Sequence, residues 1–108
     1  MANTFKLKSK ANVGVTTSNV YTVPSATTTV VIGVTLANTS GSSINVGVGI
    51  TRASTDDIHL MKNVPIPQGS SFEFMGGNKI VLETTDILTV KSDVNNSLDV
   101  ALTIMEIT

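Results

Sequence analysis

The end of the chain alternates strictly between apolar and other side chains. Leu98, Val100, Leu102 and Ile104 occupy one side of a period-two pattern, while the intervening positions carry Asp99 and two small or polar residues. Successive side chains of a β-strand point to opposite faces of its sheet. The pattern therefore predicts a strand at residues 98–107 that has one buried face.

Similar runs recur along the chain and are separated by turn-forming residues. They predict strands at residues 5–8, 13–15, 19–23, 28–38, 44–51, 58–64, 72–74, 80–82 and 88–90. The turn at residues 39–43 lies between two alternating runs and predicts a hairpin. Segment 64–69 contains two prolines, which exclude it from the middle of a sheet because proline donates no backbone hydrogen bond.

These ten segments, the first of which is a short strand or an arm, predict about eight or nine strands. Short strands at this spacing predict an all-β, antiparallel β-sandwich, with either a jelly-roll or an immunoglobulin-like topology. We expect one domain over residues 1–108, in which residues 1–12 are a candidate N-terminal arm. Residues 28–38 are apolar at both parities, so this strand is expected to be central and buried on both sides. The predicted core consists of Val30, Ile32, Val34, Leu36, Ile44, Val46, Val48, Phe72, Leu82, Leu88, Val100 and Leu102.

The composition of the chain argues against two classes of binding partner, nucleic acids and membranes. Charged residues make up 14% of the chain, against roughly 25% in ordinary globular domains, and the net charge is −1. This predicts no nucleic-acid partner, because such proteins carry basic surfaces. The longest apolar stretch covers residues 30–34, and the first lysines are not followed by an apolar run. Neither a membrane partner nor a signal peptide is expected. Cysteine is absent, which excludes disulfides and thiolate metal sites.

Residues with chemical potential are few. His59 is the single histidine, and no nucleophile or acid has a recognisable spacing to it. Residues 93–99 offer oxygen ligands but lack the spacing of a calcium loop, and Asx residues are also what a turn requires. We interpret Asp56 and Asp57 as turn residues first, and as a pair of catalytic carboxylates only second. We therefore predict no enzyme, no catalytic residue, no cofactor and no metal site.

One strand has an unusual second face. Opposite its apolar row, segment 44–51 presents Asn45, Gly47, Gly49 and Thr51. Glycine in a strand often marks a place where another backbone comes close. One interpretation of this face is a flat strand that is exposed to solvent. The other is a contact face for another subunit, in which case these four residues are the candidate subunit contact of a homo-oligomer.

Six segments of the chain together carry a resemblance: residues 3–8, 21–24, 31–39 and 63–71, residues 79–86 with Leu88, and residues 102–107. The set resembles small virion structural proteins of tailed bacteriophages, including those of cyanophages. The resemblance implies a non-enzymatic structural role in the virion, with the major capsid protein or other virion proteins as partners. It carries over no site residues.

The leading functional hypothesis is a capsid decoration, or cement, protein on the outer head. The alternatives are a tail, neck or fibre component and, from a different class, a carbohydrate-binding module. Attachment is expected to rest on apolar burial and backbone hydrogen bonds, with Phe5 and Leu7 as the anchors of an attachment arm. The alternative for these two residues is an ordinary first strand of the sandwich.

Overall fold

The computed structural model describes residues 2–52, 57–74 and 79–108, and within these ranges it confirms an all-β fold. Nine strands are present there: β1 (Asn3–Val13), β2 (Ser18–Thr22), β3 (Thr28–Asn38), β4 (Ile44–Thr51), β5 (Ile58–Ile66), β6 (Ser71–Phe74), β7 (Ile80–Leu82), β8 (Ile87–Ser92) and β9 (Leu98–Ile107). The predicted turns that include residues 55, 56, 76 and 77 lie outside the described residues.

The strands form two antiparallel sheets that pack face to face. The first sheet has the order β1-β9-β3-β6, with β7 beside β6 on the same edge of β3, and the second has the order β2-β8-β4-β5. The chain passes from one sheet to the other between β1 and β2, β2 and β3, and β3 and β4. First and last strands are neighbours, as are the second and the second-last. This is the wrapping order of a jelly roll, which resolves the two topologies left open by the sequence.

The predicted hairpin at residues 39–43 is wrong. β3 belongs to the first sheet and β4 to the second, so the turn arches across the sandwich. The buried Asn38 holds this arch: its Nδ2 donates to the carbonyls of Ser42 (2.8 Å) and Ile66 (2.9 Å), and its Oδ1 accepts from the Ser40 amide (2.9 Å). An asparagine that satisfies loop carbonyls in this way replaces the ladder bonds of a hairpin.

A β-bulge changes which residues of β3 face the core. Val31 pairs with Ile104 and Gly33 with Thr103, so Ile32 is an extra residue without a partner on β9. A single extra residue reverses the alternation beyond it. Val31 and Val34 are consequently buried, whereas Val30 and Ile32 are half-buried on the outer face. The predictions of Val30 and Ile32 as core residues are wrong for this reason. The central position of β3 is confirmed, but its predicted burial on both sides is wrong because no described strand covers the outer face of the first sheet.

The other predicted core positions are confirmed with one exception. Phe72 lies on the short strand β6 at the edge of the first sheet and is 37% exposed, because no further strand covers it within the described ranges. Pro65 falls inside β5, which is an edge strand, as the proline rule requires. The buried residues that agree with the prediction are Val34, Leu36, Ile44, Val46, Val48, Leu82, Leu88, Val100 and Leu102.

Candidate binding surfaces

The outer face of the first sheet carries a row of apolar side chains that crosses four strands. Phe5 on β1 pairs with Met105 on β9, Met105 pairs with Val30 on β3, and Val30 pairs with Val81 on β7. Residues directly opposite in antiparallel strands share a face, so these four side chains are neighbours. Phe5 is 70% exposed and Val81 is 58% exposed.

Three more apolar residues extend this row along the same face. Leu7 is 67% exposed, while Ile107 and the bulge residue Ile32 are half-buried. We refer to the set as the apolar stripe, which consists of Phe5, Leu7, Val30, Ile32, Val81, Met105 and Ile107. Contiguous exposed apolar surface of this kind is characteristic of interaction sites.

The sequence pattern contained a signal for this stripe that the alternation obscured. In β9 the residues that should be polar become apolar at Met105 and Ile107, and in β3 both parities are apolar near Val30. A strand with apolar residues on both faces is covered on both sides or exposes one apolar face. Phe5 and Leu7, the predicted anchors, lie at the β1 end of the stripe, on a strand paired with β9 along residues 3–13.

The opposite side of β1 is basic and is tied to the core. The Nζ of Lys6 lies 2.8 Å from Oε1 of the buried Glu106. The hydroxyl of the buried Tyr21 donates to the other carboxylate oxygen and lies 2.8 Å from Oγ1 of Thr29. The Nζ of Lys8 lies 5.9 Å from the centroid of the Tyr21 ring. This network joins the edge strand β1 to β9, β2 and β3.

The network shifts the titration of two of its members. The pKa of Glu106 is lowered, mainly by the hydrogen bond that Lys6 donates to it and, to a smaller extent, by the hydrogen bond from Tyr21. Burial, followed by the hydrogen bond to Glu106, raises the pKa of Tyr21 to about 12. The carboxylate and the neutral phenol are therefore the stable forms over the whole neutral range.

The outer face of the second sheet is concave and polar. A groove of about 390 Å³ runs along β4, with β8 and β5 as its two walls. Its floor includes Gly47 and Gly49, so we refer to it as the glycine groove. The polar residues that line it are Thr17, Asn45, Thr51, Asp57, His59, Lys62, Asn63, Thr89, Lys91, Ser92 and Asp93, of which Ser92 contributes backbone because its hydroxyl bonds to Ser97 in the interior.

The irregular backbone of β5 accounts for this groove. The register of β5 on β4 shifts twice, and Asn63 adopts a left-handed φ of 55° at the first shift. A Cβ at Gly49 would lie 2.8 Å from the Ile58 carbonyl oxygen, closer than real contacts, whereas one at Gly47 would lie 3.5 Å from the Met61 carbonyl oxygen. The backbone that comes close to Gly49 therefore belongs to the same chain.

The four predicted subunit-contact residues thus differ in their exposure to solvent. Gly49 is buried beneath β5, Gly47 and Thr51 are half-buried, and Asn45 is exposed. All four line the glycine groove. The prediction that they contact another subunit stays a prediction, while the explanation for glycine at position 49 lies within the chain.

Charge in the groove follows the cross-strand rows. Gly47 pairs with Lys91 on β8 and, between two register positions, faces Lys62 and Asn63 on β5. The next row contains Thr89, Gly49 and His59. Two lysines therefore face each other across a floor without side chains, with Asp93 at one end of β4 and Asp57 at the other.

The residues of the calcium hypothesis serve as structural acceptors. Oδ1 of Asp93 accepts from the Asn45 amide (3.0 Å), Oδ1 of Asn95 from the Val15 amide (3.3 Å), and Oδ1 of Asp99 from the Asn12 amide. Among the described residues, no group of three or more histidines, cysteines or carboxylates is placed to hold a metal ion. The described ranges also form no helix long and apolar enough to cross a membrane.

Comparison with known proteins identifies a similar fold. No family model and no curated protein matches the sequence. The chain is similar to a protein from the solved structure of Bacillus endospore appendages, which are described as a novel family of disulfide-linked pili. The TM-score is 0.60 at 11% sequence identity, over 99% of this chain and 87% of that one. A likeness at this identity shows a shared β-sandwich fold.

Proposed function

We propose that the protein is a non-enzymatic structural subunit of a phage virion, bound to the outer head as a capsid decoration protein. The observation that carries the proposal is the apolar stripe, an exposed surface suited to burial against another protein. The resemblance of the sequence to small virion proteins supports a place in the particle. The Bacillus appendage protein adds that this fold occurs in another repeating assembly.

The dimensions of the stripe correspond to a small protein contact. Four strands at about 4.8 Å each give a width of about 19 Å, and the five residues from Asn3 to Leu7 at about 3.3 Å give a length of about 17 Å. The resulting area of about 300 Å² on each partner, or about 600 Å² in total, is below the roughly 1,000 Å² of a stable isolated interface. Many copies on a symmetric lattice would strengthen a modest contact through multivalency.

The lysines of β1 favour attachment through side chains over attachment by strand addition. Lys6 and Lys8 point toward the interior of the sandwich at its edge, since Lys6 reaches Glu106 and Lys8 lies over Tyr21. Inward-pointing charges on an edge strand oppose unspecific pairing with another strand. The proposed attachment therefore uses the outer side chains of Phe5 and Leu7 with the rest of the stripe, rather than strand addition at the edge.

The test is co-sedimentation of purified protein with undecorated phage heads. The double variant Phe5→Ser/Val81→Ser removes both ends of the exposed row and is expected to lose binding while it keeps its β-type circular dichroism spectrum. Val15→Ser, at a position that is 47% exposed outside the stripe, is the matched control and is expected to bind as the wild type does. Wild-type protein that does not sediment with heads, or binding abolished by moderate salt, would overturn the proposal.

A tail, neck or fibre location is the alternative within the virion. Densitometry of purified particles separates the two, because head decoration requires hundreds of copies and a tail component only a few. A second copy of the chain is the alternative occupant of the stripe. Light scattering at micromolar concentration tests this self-association against the 11.3 kDa monomer.

A further inference from the structure

We propose that the glycine groove binds an acidic saccharide, meaning a sugar with one carboxylate or sulfate group among its hydroxyls. The site lies on the second sheet, opposite the apolar stripe. The proposal does not depend on where the protein sits in a particle, since both surfaces can be occupied at once.

The centre of the groove is suited to a single anion. Lys62 and Lys91 extend from strands on either side of Gly47, and two strand spacings separate their backbones by about 10 Å. The absence of a side chain at Gly47 lets a ligand lie between the two ammonium groups. His59 follows one row further along the same wall as Lys62. An anionic group of the ligand that lies between Lys62 and Lys91 would accept charge-assisted hydrogen bonds from both side chains.

The ends of the groove favour hydroxyl groups and disfavour a long polyanion. Asp93 and Asp57 lie at opposite ends of β4, where their carboxylates can accept hydrogen bonds from sugar hydroxyls. Asn45 and Asn63 supply further donors and acceptors. A row of phosphates along the groove would bring negative charge toward both aspartates, and this repulsion disfavours a nucleic acid.

The backbone of β5 sets the wall at this end of the groove. The carbonyl oxygen of Ile58 lies over Gly49 and is an acceptor for a sugar hydroxyl. The hydroxyl of Thr89 already donates to the Gly49 carbonyl (3.2 Å), which fixes the wall beside it. The volume of about 390 Å³ is within the usual range of roughly 300–1,000 Å³ for small-molecule sites.

Isothermal titration calorimetry of the full chain provides the test. The probes are 3′-sialyllactose and galactose 6-sulfate, each with one anionic group, and neutral lactose is the comparison. One of the acidic probes is expected to bind with a Kd at or below about 1 mM, and Lys62→Gln/Lys91→Gln to weaken it by about tenfold or more. Lys10→Gln, an exposed lysine on the first sheet, is the control and is expected to leave the affinity unchanged.

Each other outcome contradicts the proposal. Failure of both acidic probes to bind, or equal binding of neutral lactose, would overturn it. Equal losses in the Lys10 and Lys62/Lys91 variants would show an unspecific charge effect, and tight binding of single-stranded DNA in the groove would identify a different class of ligand. Phe5→Ser/Val81→Ser is expected to bind the saccharide normally, which keeps this result separate from that of the head-binding experiment.

Discussion

The two sheets have similar inner faces and opposite outer faces. Both bury branched aliphatic residues against a common core, but the first sheet exposes the apolar stripe and the second exposes the glycine groove. The central row of the stripe lies in direct cross-strand register, which aligns Phe5, Met105, Val30 and Val81, and the single bulge at Ile32 lies beside this row. The groove follows a strand pair whose register shifts twice.

This difference shows how backbone irregularity controls the outer surface of a sandwich. In a regular ladder, side chains pack beside one another and form a continuous surface. Where β5 bulges, its backbone rises toward the face of β4 and leaves room only for glycine at position 49. One domain thereby obtains a surface suited to burial against protein and another suited to a small polar ligand.

The largest expected effect separates buried from exposed apolar residues. Leu102 on β9 is fully buried, and Leu102→Ala is expected to lower the free energy of unfolding by about 3 kcal/mol through lost burial and a cavity. Phe5→Ala removes more atoms but from an exposed site, and is expected to cost less than about 1 kcal/mol. Urea denaturation measures both. Equal losses would mean that the stripe is part of the core.

The sequence predicted the fold class and most of the core because alternation reports burial directly. It failed at Val30 and Ile32, since the bulge at Ile32 puts these two residues on the face opposite to Val34 and Leu36. The local signal of this bulge is Gly33, a glycine inside an otherwise apolar run. It failed at residues 39–43 because a turn flanked by two strands has the same composition whether it closes a hairpin or crosses between sheets.

The candidate surfaces were harder to predict than the core. Phe5 and Leu7 were identified, but their alignment with Val81 depends on long-range register. The glycines at positions 47 and 49 were identified correctly as unusual, but the backbone that approaches Gly49 comes from β5 of the same chain. Lys62 and Lys91 are 29 positions apart and become neighbours of one groove only through their shared partner β4.

A smaller effect tests the origin of the groove. Gly49→Ala places a Cβ 2.8 Å from the Ile58 carbonyl oxygen and is expected to destabilise the fold by about 2 kcal/mol, because β5 must move. Gly47→Ala, with its nearest contact at 3.5 Å, is the matched control and is expected to cost little. If both variants unfold at the same urea concentration, the floor is not held closed by β5 at Gly49.

The network beneath β1 gives a prediction about pH. Tyr21→Phe removes a buried hydroxyl and is expected to cost about 1 kcal/mol at neutral pH. Because the pKa of Tyr21 is raised from 10 to about 12 in the fold, the wild type has its full stability below pH 10 and loses this contribution as the pH rises to about 12. Since Tyr21 is the single tyrosine, the Phe variant lacks that alkaline loss.

At acidic pH the stability contribution of the same network changes in the opposite direction, because it is lost as the pH falls. The pKa of Glu106 is lowered in the fold, so its contribution is complete above about pH 4.5 and is lost as the pH falls through the lower folded value. Glu106→Gln is expected to reduce that acid-dependent loss. Unfolding free energies measured from pH 3 to pH 12 check both variants, and wild-type and variant curves that stay parallel would show that neither group titrates with folding.

The smallest expected effect has the opposite sign and concerns a third glycine. Gly33 follows the bulge on the outer face of the first sheet, where a Cβ would meet no atom within 4 Å. Its φ lies outside the left-handed region, so alanine can adopt the same backbone conformation. Alanine also restricts the unfolded chain, and Gly33→Ala is therefore expected to stabilise the fold by about 0.5 kcal/mol. Differential scanning calorimetry should show a raised Tm for this variant and a lowered Tm for Gly49→Ala. The same substitution would then report an open outer face on the first sheet and a backbone-covered floor on the second, whereas a lowered Tm for both would remove the distinction between the two faces at these positions.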